Sequence, residues 1–258
     1  MKRDILTISF IFSSAIILFM LIFPILNLIL STPVTDLISA ATDKEVILSI
    51  YLSLITSTIA TIIAFLLGTP LAYLLARKDF YGKNFIDSIL DLPILIPHTV
   101  AGIALLALFG PRGIIGRPLS ELGIYFIDTI YGIIVAMLFV SAPLYIKAAK
   151  EAFESINPNL FKVARSLGAS PVRAFFTIDF SLAMRGIFTG ATLCWARALS
   201  EFGAVIILAY YPYTAPVIIF KRFTTWGLSA SKPISALLLI ITLGIFLFLR
   251  FLRRESVD

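Results

Sequence analysis

Residues 157–181 read Asn157-Pro-Asn-Leu-Phe-Lys-Val-Ala-Arg-Ser-Leu-Gly168-Ala-Ser-Pro-Val-Arg-Ala-Phe-Phe-Thr-Ile-Asp-Phe-Ser181. Asn157 can accept a hydrogen bond from a free amide of a starting helix, and Pro158 suits the first helical position, where its missing N–H is not needed. Gly168 is placed to end that helix in the left-handed conformation that residues with a Cβ avoid. Ser170 and Pro171 repeat the start signal at once. The stretch therefore predicts a helix over Pro158–Leu167, a sharp turn, and a second helix running on into the next hydrophobic segment. Leu160, Val163, Ala164 and Leu167 share one face of the first helix, while Lys162 and Arg165 point elsewhere. A helix this short is not stable alone in water, so something must support it: the bilayer surface, or a groove on a partner.

The surrounding chain is apolar. Of 258 residues, 59% are hydrophobic and 14% charged, where soluble domains run about 45–50% and about 25%. The mean hydropathy is +1.01. Apolar residues come in blocks of about twenty, enough to cross a hydrocarbon core about 30 Å thick. Six spans are predicted: Ile5–Leu30, Val46–Ala76, Phe85–Phe109, Thr129–Ala149, Gly186–Tyr210 and Ile234–Leu249. The first exceeds the length of a signal-peptide core and lacks a small-residue cleavage pattern, so it is expected to be retained. The fold class is all-α, a polytopic membrane protein with six transmembrane helices.

The net charge of +6 follows from topology rather than from nucleic acid. Lys2, Arg3, Arg77, Lys78, Lys83, the basic residues from Lys147 to Arg185, and Arg250, Arg253 and Arg254 all fall on one side; Lys44, Arg112, Arg117, Lys221, Arg222 and Lys232 fall on the other. The richer side is the cytoplasm, so both termini are expected on the cytoplasmic side of a cell membrane. The longest connection, Lys150–Arg185, is too short for a soluble domain, and no G-x-x-x-x-G-K-[ST] loop occurs. Any energy-converting machinery is therefore expected on another chain. A single cysteine, Cys194, and a single histidine, His98, exclude a disulfide framework and Cys-rich metal sites. No catalytic residue, cofactor or metal site is expected.

Small residues mark where helices approach closely. Ala60, Ala64, Gly68, Ala72 and Ala76 recur every fourth residue in the second span, Gly186 and Gly190 open the fifth, and Gly132 and Ala136 lie in the fourth. These read as intrachain packing, with subunit contact or a moving seam as the alternative. Pro93 and Pro97 predict that the third span starts irregularly or is kinked, which suits a helix near a pathway. His98 reads as a polar packing residue or a proton relay. Arg197 and Glu201, four residues apart in the fifth span, lie on one helical face. An Arg at mid-bilayer costs about 2.5–3.5 kcal/mol, so the two read either as a neutralising pair locking helices together or as part of a solute route. Pro97, His98, Arg197, Ser200, Glu201 and Phe202 are the pathway or gate candidates.

Lys162-Val-Ala-Arg-Ser-Leu-Gly168, with Ile178 ten residues on, resembles the "EAA" loop of ABC importer permeases, E-A-A-x-x-x-G-x9-I-x-L-P. Ala164, Gly168 and Ile178 match; Lys162, Val163, Phe180 and Ser181 depart, so a contact made by the family's Glu does not carry over. Leu92-Pro-Ile-Leu-Ile-Pro-His-Thr-Val-Ala-Gly-Ile-Ala-Leu-Leu106, Trp195-Ala-Arg-Ala-Leu-Ser-Glu-Phe-Gly-Ala204, Ala209-Tyr-Tyr-Pro-Tyr-Thr-Ala-Pro216 and Gly227-Leu-Ser-Ala-Ser231 are similar to segments of molybdate/tungstate permeases, archaeal-type in particular; sulfate and thiosulfate permeases share a weaker form.

The resemblance implies a type I ABC importer permease fold: one transmembrane domain over 1–258, with a first span and outer loop at 1–45, a core at 46–250 and a cytoplasmic coupling loop at 150–185. It implies that Pro158, Asn159, Leu160, Phe161, Lys162, Val163, Ala164, Arg165, Ser166, Leu167, Gly168 and Ala169 form a coupling helix and turn that dock into an ATP-hydrolysing subunit. The implied partners are two ABC ATPase subunits, an external solute-binding protein, a second copy of the chain and membrane lipid, with no nucleic acid. The implied function is import of tungstate or molybdate by alternating access. Permeases for sulfate, thiosulfate, thiamine or ferric iron are alternatives within the class. A stand-alone carrier or channel, or a non-transporting membrane subunit, are alternatives outside it.

Overall fold

The computed structural model describes residues 4–255. Lys2 and Arg3, used above for orientation, lie outside the described residues, as do the side chains of Arg250, Arg253 and Arg254. Every regular element among the described residues is helical. In chain order these are α1 (Asp4–Leu30), α2 (Val34–Thr42), α3 (Lys44–Arg77), α4 (Lys83–Ile89), α5 (Leu92–Leu95), α6 (His98–Phe109) and α7 (Gly116–Glu121). After α8 (Ile130–Glu154) come α9 (Pro158–Ser166), α10 (Pro171–Ala174), a π-helical segment (Phe175–Phe180), α11 (Ser181–Leu199), α12 (Gly203–Leu208), α13 (Ala215–Trp226) and α14 (Leu228–Glu255).

Four stretches are continuous, long and apolar enough to cross a membrane: Leu6–Leu30, Lys44–Arg77, Ile130–Glu154 and Leu228–Phe248. They agree with the first, second, fourth and sixth expected spans. The third, Phe85–Phe109, is not one rod. Its two parts, Lys83–Leu95 and His98–Phe109, are bent by 112° from one direction to the next, because Pro97 cannot donate to the preceding turn and holds Ile96 extended. The fifth, expected as Gly186–Tyr210, is also divided: α11 ends at Leu199 and α12 restarts at Gly203.

The chain forms two compact units. In one, residues 4–48 and 218–255, α14 packs on α2 and α1. Arg222 Nη2 donates to Asp43 Oδ2 (2.8 Å) and Glu45 Oε2 (2.9 Å), its guanidinium lies 5.0 Å from the Trp226 ring centre, and Lys221 Nζ donates to Glu45 Oε1. The side chains of α1 are exposed over nearly its whole length, as befits a helix whose surroundings are hydrocarbon.

In the other unit, Ser49–Val217, helices α3, α8 and α11 carry two apolar clusters. One gathers Ile133, Met137 and Val140 of α8 with Leu105, Val205 and Leu208; the second gathers Leu75, Tyr145, Phe153 and Ile187. The small-residue row of α3 faces inward: Ala60, Ala64 and Ala72 are buried, and a methyl group on Gly68 would meet Ile146 and Tyr145. Gly186 and Gly190 let α11 close against Ala152 and Ala148 of α8, so both rows serve packing within the chain. Two ion pairs not anticipated from sequence, Lys147 with Asp91 and Lys150 with Asp87, tie α8 to the α4–α5 half of the broken span.

Candidate functional site

The two helix breaks meet. Pro97 caps the start of α6 and His98 is its first residue. Opposite them, α11 gives way to α12 through Ser200, Glu201 and Phe202. The close approach depends on Gly203: a Cβ there would lie 2.6 Å from the His98 Cβ and 3.3 Å from the Thr99 amide nitrogen. Gly102 extends the contact, since its Cβ would meet Ile207 and Ala204 of α12.

Arg197 binds this junction together. Its Nη2 donates to Glu201 Oε2 at 2.6 Å and to His98 Nε2 at 2.8 Å, and its Nη1 reaches Ser200 Oγ at 3.4 Å. The same Nη2 lies 3.3 Å from His98 Nδ1, so the guanidinium, which can only donate, meets the edge of the imidazole ring that carries both nitrogens. Glu201 is 1% exposed and both its oxygens are used. While Oε2 takes Arg197, Oε1 accepts the Ala204 amide at 2.8 Å, which satisfies a free N–H at the start of α12. The chain leaves the α11 helix here because Glu201 caps its successor. Phe202 is half-buried against the first apolar cluster. Of the six pathway candidates, the structure thus brings His98, Arg197, Ser200 and Glu201 into one hydrogen-bonded group, with Pro97 and Phe202 shaping the breaks beside it. Neutralisation of Arg197 by Glu201 is the pairing expected from their spacing.

The second locus is α9. Asn157 Oδ1 accepts from the Asn159 amide at 3.0 Å, and Ser170 Oγ accepts from the Arg173 amide at 3.2 Å, so both predicted caps are made. Gly168 has φ +91° and closes the turn, with the Ala169 amide donating to the Ala164 carbonyl at 3.0 Å. The helix ends at Ser166, with Leu167 as its cap, one residue before the expected end. Phe161 and Ala164 are half-buried; Pro158, Asn159, Lys162, Arg165 and Ser166 are exposed, and Ala169 is half-buried. Three large apolar side chains of this helix and turn are exposed: Leu160 at 46%, Val163 at 56% and Leu167 at 83%. Val172 and Phe176, further along the chain, are exposed as well.

Residues 68–255 match the family described as the binding-protein-dependent transport system inner membrane component. The chain belongs to that family. It is a multi-pass membrane protein of the permease kind, with the all-α type I importer fold that the sequence implied. Among curated relatives, the molybdate/tungstate transport system permease protein of Pyrococcus furiosus is 45% identical over 210 residues, covering 81% of this chain and 79% of that one. The protein of the same description from Methanocaldococcus jannaschii is 39% identical over 240 residues, covering 93% and 94%. A crystal structure of a bacterial ABC transporter involved in alginate import contains a chain of the same fold: TM-score 0.79 at 20% identity, covering 100% of this chain and 98% of that one.

Sequence reasoning on this permease missed a second polar group, Tyr73, Arg77 and Asp179. From sequence alone Arg77 is a charge at the end of a span and nothing more. The available signal was Asp179 itself, a carboxylate in the apolar run Phe175-Phe-Thr-Ile-Asp-Phe180, which needed a partner.

Proposed function

We propose that the chain is the membrane permease of an ATP-driven importer of tungstate or molybdate, working as a homodimer with two ATPase subunits and an external solute-binding protein. The names of the relatives support the substrate class. The observation that carries the mechanism is α9, a capped helix whose Leu160 and Val163, with Leu167 at its end, stay exposed among the described residues. Such a face suits a groove on a partner.

In this reading the α9 end of the molecule and both termini are cytoplasmic. ATP draws the two ATPase subunits together, the residues from Pro158 to Ala169 follow as the coupling element, and the path through the dimer opens outward; hydrolysis resets it inward. The chain itself makes and breaks no covalent bond. The junction of Pro97, His98, Arg197, Ser200, Glu201 and Phe202 acts as a gate. Glu201 and His98 keep Arg197 engaged, which softens its field toward a divalent oxyanion and favours passage over capture.

The test is ATP hydrolysis by the complex in proteoliposomes with its solute-binding protein. Tungstate and molybdate should each stimulate hydrolysis and accumulate inside, and sulfate should not. Stimulation by sulfate alone would move the substrate assignment to the sulfate class; uptake by the chain without the ATPase would overturn the importer reading.

A further inference from the structure

The two limbs that carry α9 are gripped by one turn of α3. On the entering limb, Arg77 Nη1 donates to the Ile156 carbonyl at 2.9 Å, immediately before the Asn157 cap. On the leaving limb, Arg77 Nη2 donates to Asp179 Oδ1 at 2.7 Å, inside the π segment. Tyr73, four residues earlier on the same face of α3, repeats the pattern. Its ring packs edge-on to Phe153 of the entering limb (5.3 Å between centres) and to Phe175 of the leaving limb (4.9 Å), and its hydroxyl donates to Asp179 Oδ2 at 3.0 Å. Asp179 is fully buried and the Arg77 side chain is 12% exposed. Each limb thus supplies one aromatic ring and one acceptor to the same pair of α3 residues.

We infer that Arg77 is a positioning residue that makes α9 and the last turns of α3 a single rigid body, so that displacement of α9 is delivered to α3. The planar guanidinium offers a separate nitrogen to each limb, Nη1 to one and Nη2 to the other, whereas Lys would have to reach both acceptors from one nitrogen on a flexible stem. The inference rests on the coupling role proposed for α9.

The experiment uses the full complex in proteoliposomes, comparing the unmodified chain with Arg77→Lys, Asp179→Asn and Tyr73→Phe and measuring tungstate taken up per ATP hydrolysed. At equal complex yield and equal basal ATP hydrolysis, Arg77→Lys and Asp179→Asn should lower that ratio about tenfold and Tyr73→Phe about twofold; an unchanged ratio in all three overturns the inference. A second measurement does not depend on these variants. Spin labels at Leu74 and Ser166, both exposed, should keep their separation between nucleotide-free and ATP-bound complex, and a change of several ångströms overturns the rigid-body claim. The parent reading fails separately: if Leu160→Asp with Val163→Asp leaves ATPase binding intact, α9 is not the coupling element, whatever Arg77 does.

Discussion

The alpha carbon of Gly203 faces His98 so closely that a methyl group on it would stand 2.6 Å from the His98 Cβ. Two interrupted helices are therefore in backbone-level contact where α6 and α12 begin. Replacing Gly203 with Ala should force them apart and lower tungstate uptake about tenfold, with normal complex assembly; Gly203→Val should abolish it. Uptake by the alanine variant at the unmodified rate would show that the junction tolerates separation.

Glu201 is buried and shared between a side chain and a backbone amide. Glu201→Gln leaves the Arg197 charge without its counter-ion, a loss of about 3 kcal/mol, the low end for a broken buried pair because Arg197 retains some solvent. Thermal unfolding of the detergent-purified chain should fall accordingly. The double variant with Arg197→Gln should recover part of the loss, since the two residues act as a pair. Purely additive losses would contradict the pairing.

Gly168 adopts φ +91° in open space, with nothing within 4 Å of a Cβ placed on it. The effect of a substitution is thus one of backbone conformation, about 1–2 kcal/mol for a residue that resists the left-handed region. Gly168→Val should lower uptake per ATP several-fold, whereas Gly168→Asn should stay near the unmodified value. Equal behaviour of Val and Asn would show that the turn does not control coupling.

Lys150 pairs with Asp87, and with Lys147 and Asp91 it borders an open cleft of about 280 Å³ whose walls include Glu151 and Glu154. Asp87→Lys alone places like charges together and should reduce the yield of folded protein about threefold. The exchanged pair, Asp87→Lys with Lys150→Asp, should restore part of it, since Lys150 also lies 3.8 Å from Glu154 and the exchange gives up that contact. Size-exclusion recovery at matched expression measures this, and absence of rescue would mean that the pair does not hold the bent span to α8.

Local chemistry was legible wherever the signal was local. Asn157, Pro158, Gly168, Ser170 and Pro171 determine their own turn, and the structure places α9 within one residue of its expected end. The i, i+4 spacing of Arg197 and Glu201 gave their pairing, and Pro97 gave the break before α6. The division of the fifth span was not legible, because Ser200, Glu201 and Phe202 carry no helix-breaking residue. The break arises when Glu201 caps α12 and His98 arrives from a distant part of the chain. The contact of Arg77 with Asp179 was hidden for a similar reason: it joins residues far apart in sequence, and the π segment that turns Asp179 inward has no pattern of its own.

That π segment sets an angular phase. Each residue of an α-helix advances the chain by about 100° around its axis, and a wider π turn absorbs the equivalent of one added residue. Upstream of Phe175 the helix is oriented by Ser170 and Pro171; downstream, Gly186, Gly190 and Cys194 must face α8, and Arg197 must face His98. Deleting one residue between Phe175 and Phe180 would remove what the wide turn absorbs, so the segment could close to an ordinary α turn and leave the later side chains of α11 facing α8 and His98 as before. What the wide turn supplies is local: it is the stretch that holds Asp179 within reach of Arg77 and Tyr73.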